Sequence, residues 1–248
     1  MEFADVRPGD RVLDVATGTG AVLLAAVERC GEQGQVVGID VTEAMLERAA
    51  GELRSRSVRN AELRVMNAQQ LLFADESFDS VLCAFAFGSF ADKDRALAEF
   101  FRVLKPGGRL GVLDSFGWFF DHDARWTWLA DLLRSAEVHR DDPPSPGEGP
   151  RRLHEAIQTA GFAAVEMSED SYELLFRDEE EFSHWAWSHG SRRLFEAVPP
   201  TRLNEFENGL FQGLARCRGT DQLIHGTLRA FIALARKPST PPHHRSHS

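Results

Sequence analysis

The feature that most constrains the fold of this chain is an alternation of short apolar runs with segments of helical periodicity. The apolar runs have the length of β-strands, and most segments between them repeat apolar residues every three to four positions. The runs are Val12–Ala16, Val36–Ile39, Leu63–Met66, Ser80–Ala84, Leu110–Leu113, Ala163–Met167 and Thr227–Ala235. Strands that alternate with helices pair in parallel and carry helices on both faces of the sheet. We therefore predict an α/β protein with a doubly wound, mostly parallel, seven-stranded sheet.

Local signals place several helix ends. Gly31 follows an alanine- and leucine-rich segment and favours a helix C-terminus there. Thr42 and Asp92 are residues that commonly cap a helix N-terminus, and Thr42 is expected to begin a helix over about 43–55. The proline- and glycine-rich segment 141–150 is expected to be a loop without helix. Further helices are predicted over 151–160 and 178–217.

Composition excludes several classes of protein. The chain has 248 residues, of which 43% are hydrophobic, and its net charge is −10. An acidic chain is a poor candidate for nucleic-acid binding, because phosphate contacts need clustered Lys and Arg. Cys30, Cys83 and Cys217 are odd in number and widely spaced, which argues against a disulfide framework and a metal site. No apolar run approaches the ~20 residues of a membrane span. Together with the charge and the cysteine pattern, this leads us to expect a cytoplasmic protein with no metal, nucleic-acid or membrane partner.

One stretch carries clear chemistry: VLDVATGTG, residues 12–20, runs from a strand through a glycine turn into a helix. In an open α/β sheet, ligands bind beyond the carboxyl ends of the strands. Asp40 ends the second strand, where a carboxylate can accept hydrogen bonds from both hydroxyls of a ribose. Two adenosine cofactors fit this arrangement. The interpretation as a dinucleotide site is the weaker one, because its GxGxxG pattern would place a third glycine where Leu23 stands.

Four segments in order then resemble the successive motifs of class I S-adenosylmethionine-dependent methyltransferases, which have a Rossmann-like fold. They are VLDVATGTG, VVGIDVTEAMLERA, NAQQLLFADESFDSVLCAF and EFFRVLKPGGRLGVLDS. The resemblance is closest to the small-molecule branch that includes the ubiquinone and menaquinone biosynthesis methyltransferases, and it covers about 8–115 and 150–168. It implies S-adenosyl-L-methionine as cofactor, S-adenosyl-L-homocysteine as product, and a small-molecule acceptor.

The resemblance also implies roles for individual residues. Positions matching the family's cofactor-binding residues are Asp14, Ala16, Thr17, Gly18 and Gly20 for the methionine part, Asp40 for the ribose, Val41 and Met45 beside the adenine, Asn67 and Ala68 at the adenine edge, and Ala84 and Phe85 near the reacting methyl group. Asn67 departs from the family's usual Asp. Its amide oxygen can still accept a hydrogen bond from the adenine amino group.

The domain organisation follows from the same comparison. Residues 1–238 are predicted to form a single methyltransferase domain with a cofactor-binding core at about 8–115, followed by a disordered tail at 239–248. Helical insertions at about 116–150 and 171–220 are expected to form a substrate lid. Relatives usually carry N-terminal helices before the first strand, so cover for the cofactor is expected from the insertions, from a partner chain or from sequence upstream. The oligomeric state is open.

Both insertions are rich in aromatic residues. The rings are Phe116, Trp118, Phe119, Phe120, Trp126 and Trp128 in the first, and Tyr172, Phe176, Phe182, Trp185, Trp187 and Phe195 in the second. They either pack the extra helices together or line an apolar pocket. The second interpretation predicts a hydrophobic or aromatic acceptor.

Methyl transfer from a sulfonium needs positioning, and it needs a base only if the acceptor is a hydroxyl or an acidic carbon. Candidates for such a base are His122, His184, His189 and Tyr172, with Asp114 and Asp121 as further candidates.

Three functional hypotheses follow. The first is methyl transfer to oxygen, nitrogen or carbon of a small metabolite by in-line displacement. The second is a cyclase-like enzyme or binding protein that uses S-adenosylmethionine without transferring methyl. The third is an NAD(P)-dependent oxidoreductase, against which Leu23 and the later motifs argue.

Overall fold

The computed structural model describes residues 5–115, 123–139, 148–188 and 192–239. Within these residues the chain forms seven strands and eight α-helices. The strands are β1 (Arg11–Val15), β2 (Gln35–Asp40), β3 (Ala61–Val65), β4 (Phe78–Ala84), β5 (Leu104–Asp114), β6 (Ala163–Phe176) and β7 (Ile224–Arg236). The helices are α1 (Ala21–Cys30), α2 (Glu43–Ser55), α3 (Lys93–Val103), α4 (Thr127–Ser135), α5 (Glu148–Thr159), α6 (Glu179–Ser188), α7 (Arg192–Glu196) and α8 (Leu203–Arg216). No helix among the described residues is long and apolar enough to cross a bilayer.

The strands form one sheet in the order β3-β2-β1-β4-β5-β7-β6. Strand β1 pairs in parallel with β2 and β4, β2 pairs in parallel with β3, and β4 with β5. Strand β7 is antiparallel to β5. The central strand β1 buries Val12, Leu13 and Val15 completely, as expected for a strand covered by helices on both faces. The predicted doubly wound, mostly parallel, seven-stranded sheet is confirmed.

Two of the predicted helix ends are confirmed, and one is correct in position only. Asp92 caps α3, because its side chain accepts a hydrogen bond from the Arg95 N–H at 2.9 Å. Gly31 ends α1 at a φ of 66°. Thr42 precedes α2 as predicted, but its side chain makes no capping hydrogen bond. Its backbone N–H instead donates to the Asp40 carboxylate.

Several element boundaries differ from the prediction. Strand β5 begins at Leu104, which pairs with Phe78, so the Lys-Pro-Gly-Gly stretch lies inside the strand. Strands β6 and β7 also extend beyond the predicted runs. The predicted loop 141–150 is wrong at its end, because α5 begins at Glu148. Pro150 is accommodated there since the first turn of a helix does not need its missing N–H.

The described chain divides into two compact units. Unit 1 contains β1–β5, α1–α3 and α5, with residues 163–168 of β6 and 231–236 of β7. Unit 2 contains α4 and α6–α8, with the remaining residues of β6 and β7. Two segments before and after α5 therefore supply unit 2. The prediction that these segments act as a substrate lid stays a prediction.

Unit 2 has an aromatic core. Trp126 is fully buried and stacks on Trp128 and Phe182, with ring centroids 5.8 and 5.3 Å apart. A Cβ on Gly213 would lie 2.1 Å from the Trp128 ring, so only glycine admits this ring. Phe176 and Phe195 belong to the same core. These rings therefore pack the helices of unit 2, whereas the predicted rings at 116–120 lie outside the described residues.

Candidate functional site

The turn after β1 brings backbone N–H groups to the carboxyl edge of the sheet. Ala16, the first residue past the strand, has a φ of 55°, and Gly18 and Gly20 have φ values of 55° and 91°. Such left-handed conformations cost an L-residue about 1–2 kcal/mol, and glycine avoids this cost. Gly20 also lies tightly against α2, since a Cβ there would approach the Ala49 Cβ to 3.3 Å. The GxG pattern is thus required by the local backbone.

Asp14, on strand β1, stabilises this turn. Its carboxylate is 1% exposed, accepts a hydrogen bond from the Thr17 hydroxyl at 2.5 Å, and accepts another from the Leu23 N–H in the first turn of α1. It therefore caps α1 from the strand, because the N-cap residue Gly20 has no side chain. Burial raises the pKa of Asp14 to about 7, and the negative charge of Asp40 raises it further, although the two hydrogen bonds oppose this shift.

Asp40 joins the turn after β1 to the start of α2. Its Oδ2 accepts a hydrogen bond from the Gly18 N–H at 3.0 Å, and its Oδ1 accepts one from the Thr42 N–H at 2.9 Å. The side chain lies at the end of β2, as predicted. Because each carboxylate oxygen has two lone pairs, both oxygens retain the capacity to accept from a hydroxyl.

The end of β3 lies beside Asp40, because the Met66 N–H donates to the Asp40 carbonyl oxygen at 2.9 Å. Asn67 follows and is exposed, whereas Ala68 is buried. Asn67 Oδ1 already accepts hydrogen bonds from the backbone and side-chain amides of Gln69. The expectation that this oxygen accepts from an adenine amino group stays a prediction.

Apolar side chains flank this edge after β2. Val41 is 65% exposed and follows Asp40 directly, and Met45 is half-buried in the first turn of α2. An exposed valine beside a carboxylate provides a surface on which a flat ring can stack next to a hydroxyl-binding group. That Val41 and Met45 flank the adenine, as the resemblance implies, stays a prediction.

The turn after β4 carries Phe85, which has a φ of 53° and is 50% exposed. Its N–H donates to the Leu113 carbonyl oxygen at 2.7 Å, and the preceding Ala84 is half-buried. Asp114, which is 6% exposed, accepts a hydrogen bond from the Gly88 N–H at 2.6 Å. Asp114 therefore anchors this turn, a role that sequence analysis did not predict.

Of the predicted base candidates among the described residues, His184 and Tyr172 belong to unit 2, and Asp114 belongs to unit 1. His184 is exposed on α6, and Tyr172 is 40% exposed on β6. Partial burial and a hydrogen bond to Asp170 raise the pKa of Tyr172. His122 and His189 lie outside the described residues, as does Asp121. All six base candidates stay predictions.

Another histidine has a clear structural role. His225 contacts Glu173 through Nδ1 and Asp221 through Nε2, each at 2.9 Å. The Asp221 and then the Glu173 carboxylate raise its pKa by hydrogen bonding to the charged ring. Because carboxylates contact both ring nitrogens, this ring links β6 and β7 to Asp221 within unit 2.

Sequence analysis missed two backbone donors, the N–H groups of Thr42 and Gly88. Thr42 follows Asp40 by two residues, and this spacing is typical of an Asx turn, so it could have been found. Gly88 gives no local signal, because its partner Asp114 lies 26 residues away.

Comparison with known proteins identifies the family. The family profile described as "Methyltransferase domain" matches residues 7–140, which is more than half of the chain. Nocamycin O-methyltransferase from Saccharothrix syringae is 31% identical over 214 residues, covering 82% of this chain and 76% of that protein. The chain belongs to the S-adenosylmethionine-dependent methyltransferases. It is a methyltransferase, and S-adenosylmethionine is its cofactor.

Other relatives of this methyltransferase share shorter segments or the fold. The ubiquinone/menaquinone biosynthesis C-methyltransferase UbiE from Teredinibacter turnerae is 44% identical over 115 residues, so the chain spans about half of that relative, with 46% of each protein covered. Solved structures with a similar fold include YcgJ from Bacillus subtilis (TM-score 0.59, 22% identity, 96% and 95% coverage). The [4+2]-cyclase SpnF has a TM-score of 0.55, 23% identity, and 96% and 79% coverage. Phosphoethanolamine N-methyltransferase 2 from Haemonchus contortus, in complex with S-adenosyl-L-methionine, has a TM-score of 0.55, 18% identity, and 95% and 50% coverage.

The geometry of the methyltransferase fits its cofactor. A Cβ built on Gly18 meets no atom within 4 Å, so the space above the turn is open to a ligand. Asp40 keeps carboxylate lone pairs that could accept from ribose hydroxyls, and Val41 beside it is an exposed apolar surface; their roles toward the ribose and the base stay predictions. All of these residues belong to unit 1.

Proposed function

We propose that this methyltransferase methylates a small hydrophobic or aromatic metabolite, with a hydroxyl oxygen as the first acceptor atom to test. The main support for this proposal is the sequence similarity to a relative that aligns with most of this chain. That relative is named an O-methyltransferase and covers 82% of this chain, whereas the C-methyltransferase covers 46%. Nitrogen and carbon acceptors follow in order of testing.

The residues of unit 1 bind and orient the donor. Asp40 accepts from the ribose hydroxyls, the Gly18 turn faces the methionine part, and Val41 packs on the base. When bound, S-adenosylmethionine supplies an activated methyl group on a sulfonium sulfur. The protein then has to hold the acceptor atom in line with that group at about 3–3.5 Å and exclude water, and such positioning supplies much of the acceleration.

An apolar acceptor is supported by the turn after β4. Phe85 exposes half of an aromatic ring while its backbone is held in a left-handed conformation. Non-glycine residues in this conformation are concentrated at functional sites, where the surrounding structure maintains them. We propose that the Phe85 ring packs against the acceptor. A hydroxyl acceptor also needs a base, for which His122, His184, His189 and Tyr172 are the candidates to substitute.

The first experiment measures thermal unfolding with S-adenosylhomocysteine, S-adenosylmethionine and NAD in parallel. A ligand at 100 times its Kd stabilises a protein by about 2.7 kcal/mol, which raises the midpoint by roughly 5–10 °C for a chain of this length. We expect this increase with the two adenosyl sulfur compounds and none with NAD. An increase with NAD alone would contradict the proposal.

The second experiment identifies the reaction by product mass. The enzyme is incubated with S-adenosylmethionine and a panel of phenols, amines and enolisable ketones. A product heavier by one methylene group, formed together with S-adenosylhomocysteine, supports methyl transfer. An isomer of unchanged mass, formed without S-adenosylhomocysteine, would instead favour a cyclase-like activity, which the structural similarity to SpnF makes a specific alternative.

A further inference from the structure

His225, at the start of β7, contacts a carboxylate with each of its two ring nitrogens. Its Nδ1 lies 2.9 Å from Glu173 Oε1 on β6, and its Nε2 lies 2.9 and 3.0 Å from the two carboxylate oxygens of Asp221. A neutral imidazole carries a hydrogen on only one nitrogen, whereas the charged ring carries one on both. Both contacts are therefore hydrogen bonds only when the ring is protonated, and the arrangement of the three side chains depends on one proton.

Asp221 is the stronger of the two partners. Both of its oxygens contact Nε2, and its Oδ1 also accepts a hydrogen bond from the Leu223 N–H at 3.1 Å, which holds the carboxylate in place. Glu173 contacts the ring through one oxygen, and no other described residue hydrogen-bonds to its side chain. The neutral ring therefore keeps its hydrogen on Nε2 and turns the lone pair of Nδ1 towards the Glu173 carboxylate, which repels it.

The part of β6 that belongs to unit 2, residues 169–176, has few side-chain contacts that could compensate for the loss of this one. Residues 168–173 are all exposed, so burial contributes little to their stability. Glu169 pairs with Arg229 of β7 at 2.8 Å. Arginine keeps its charge in proteins, so this second contact does not respond to pH.

The other charged groups around the ring form pairs with arginine. Arg218, in the turn that precedes β7, pairs with Glu179 of α6 at 2.7 Å. Arg125 lies within electrostatic range of the β6 carboxylate and pairs with Asp123. The pKa of Arg125 is raised and that of Asp123 is lowered, mainly by their mutual hydrogen bond, so both stay charged. Histidine is the side-chain type whose ordinary pKa lies between pH 5 and 8, so His225 is the group expected to change its charge here.

We infer that His225 is a pH-sensitive contact within unit 2: loss of its Nδ1 proton to solvent releases Glu173 and loosens residues 169–176 of β6 from the start of β7. Hydrogen bonds from Asp221 and then Glu173 raise the pKa of His225 above its ordinary value of 6.5. The stabilising contact is therefore fully present below pH 6.5 and is lost as the pH rises through the raised pKa of the folded protein. The inference does not depend on the proposed function, because all of these residues belong to unit 2.

Hydrogen–deuterium exchange of segment 169–176, followed by mass spectrometry between pH 5 and 9, tests the inference. Each variant is compared with the unmodified protein at the same pH, which cancels the intrinsic pH dependence of exchange. Glu173→Gln is the decisive variant, because a carboxamide can accept from the protonated ring and donate to the neutral one. At pH 5 the unmodified protein should exchange no faster than this variant. At pH 9 it should exchange about two to five times faster, as expected for the loss of one exposed ion pair.

Two histidine variants complete the experiment. His225→Gln is neutral at every pH and should abolish the pH-dependent difference, whereas the matched control His154→Gln, on α5 of unit 1, should retain it. Equal exchange of Glu173→Gln and the unmodified protein at pH 9 would overturn the inference. So would a titration midpoint of the His225 ring at or below 6.5, measured by NMR of ¹³C-histidine-labelled protein. If His225→Gln fails to fold, the Glu173→Gln comparison and the ring titration still decide.

Discussion

The turns after β1 and β4 use the same backbone device on adjacent parallel strands. In each, the first residue past the strand adopts a left-handed conformation without being glycine, Ala16 at a φ of 55° and Phe85 at 53°. In each, a glycine N–H donates to the carboxylate that ends the neighbouring strand. Gly18 donates to the carboxylate of β2, and Gly88 donates to that of β5.

The two turns differ in what surrounds this device. A fully buried carboxylate, Asp14, lies under the first turn, whereas the corresponding position of β4 is Leu82. The first turn exposes backbone at Gly18, and the second exposes the aromatic ring of Phe85. One backbone geometry thus produces a polar surface suited to the donor and an apolar surface suited to the proposed acceptor. The following substitutions test each part of this comparison.

The largest effect is expected from the buried carboxylate that only the first turn has. Burial raises the pKa of Asp14 from 3.8 to about 7, so between these values the folded protein binds a proton that the unfolded chain has released. The stability contributed by this proton is fully present below pH 4 and is lost as the pH rises to 7. Between pH 4 and pH 7, the free energy of unfolding of the unmodified protein should fall by up to about 4 kcal/mol more than that of the Asp14→Asn variant. Urea denaturation of both proteins at pH 4–8 measures this difference, and parallel pH profiles would contradict it.

The next effect concerns Asp40, the carboxylate at the end of β2 that accepts from the first turn. Asp40→Ala removes the acceptor of the Gly18 N–H and both proposed ribose contacts, so affinity for S-adenosylhomocysteine should fall about a hundredfold or more. Isothermal titration measures the loss. Asp94→Ala is the matched control, because Asp94 is an exposed carboxylate on α3 outside the site. A loss below tenfold would show that Asp40 does not bind the cofactor.

The equivalent substitution in the second turn should act on stability. Asp114→Ala leaves the Gly88 N–H without its acceptor and should reduce the free energy of unfolding by about 2 kcal/mol. Asp114→Asn retains an acceptor oxygen and should lose less than half of that. Urea denaturation of both variants provides the test. Equal losses in the two variants would mean that the negative charge matters more than the hydrogen bond.

The two turns also differ in how far the sequence predicts them. The first is a strand followed by GxG and a helix, and Asp40 follows at a recognisable distance. The second reads Phe85 to Ser89 with no turn signature, and its anchor Asp114 is brought close only by the pairing of β4 with β5. Local patterns therefore predict the first turn and the candidate donor site, whereas the geometry of the second turn depends on long-range strand pairing.

The same reason explains the errors in β6. The sequence predicts a strand-like apolar run that ends at Met167, before the polar residues Glu169, Asp170 and Ser171. The strand continues to Phe176. Its acidic residues have distant partners, since Glu169 pairs with Arg229, 60 residues away. Such partners compensate for low strand propensity, and a local pattern cannot reveal them.

The smallest expected effect tests whether the two turns carry the same backbone strain. Phe85→Gly and Phe85→Ala remove the same exposed ring, but only glycine relieves the left-handed conformation, so the glycine variant should be more stable by about 1 kcal/mol. Ala16→Gly should stabilise the protein by a similar amount, because its φ is the same within 2°. Ala86→Gly is the control, since Ala86 has an ordinary φ of −136° and should gain nothing. If urea denaturation shows a gain at Ala16 and none at Phe85, then the second turn relaxes in solution and carries less backbone strain than the first.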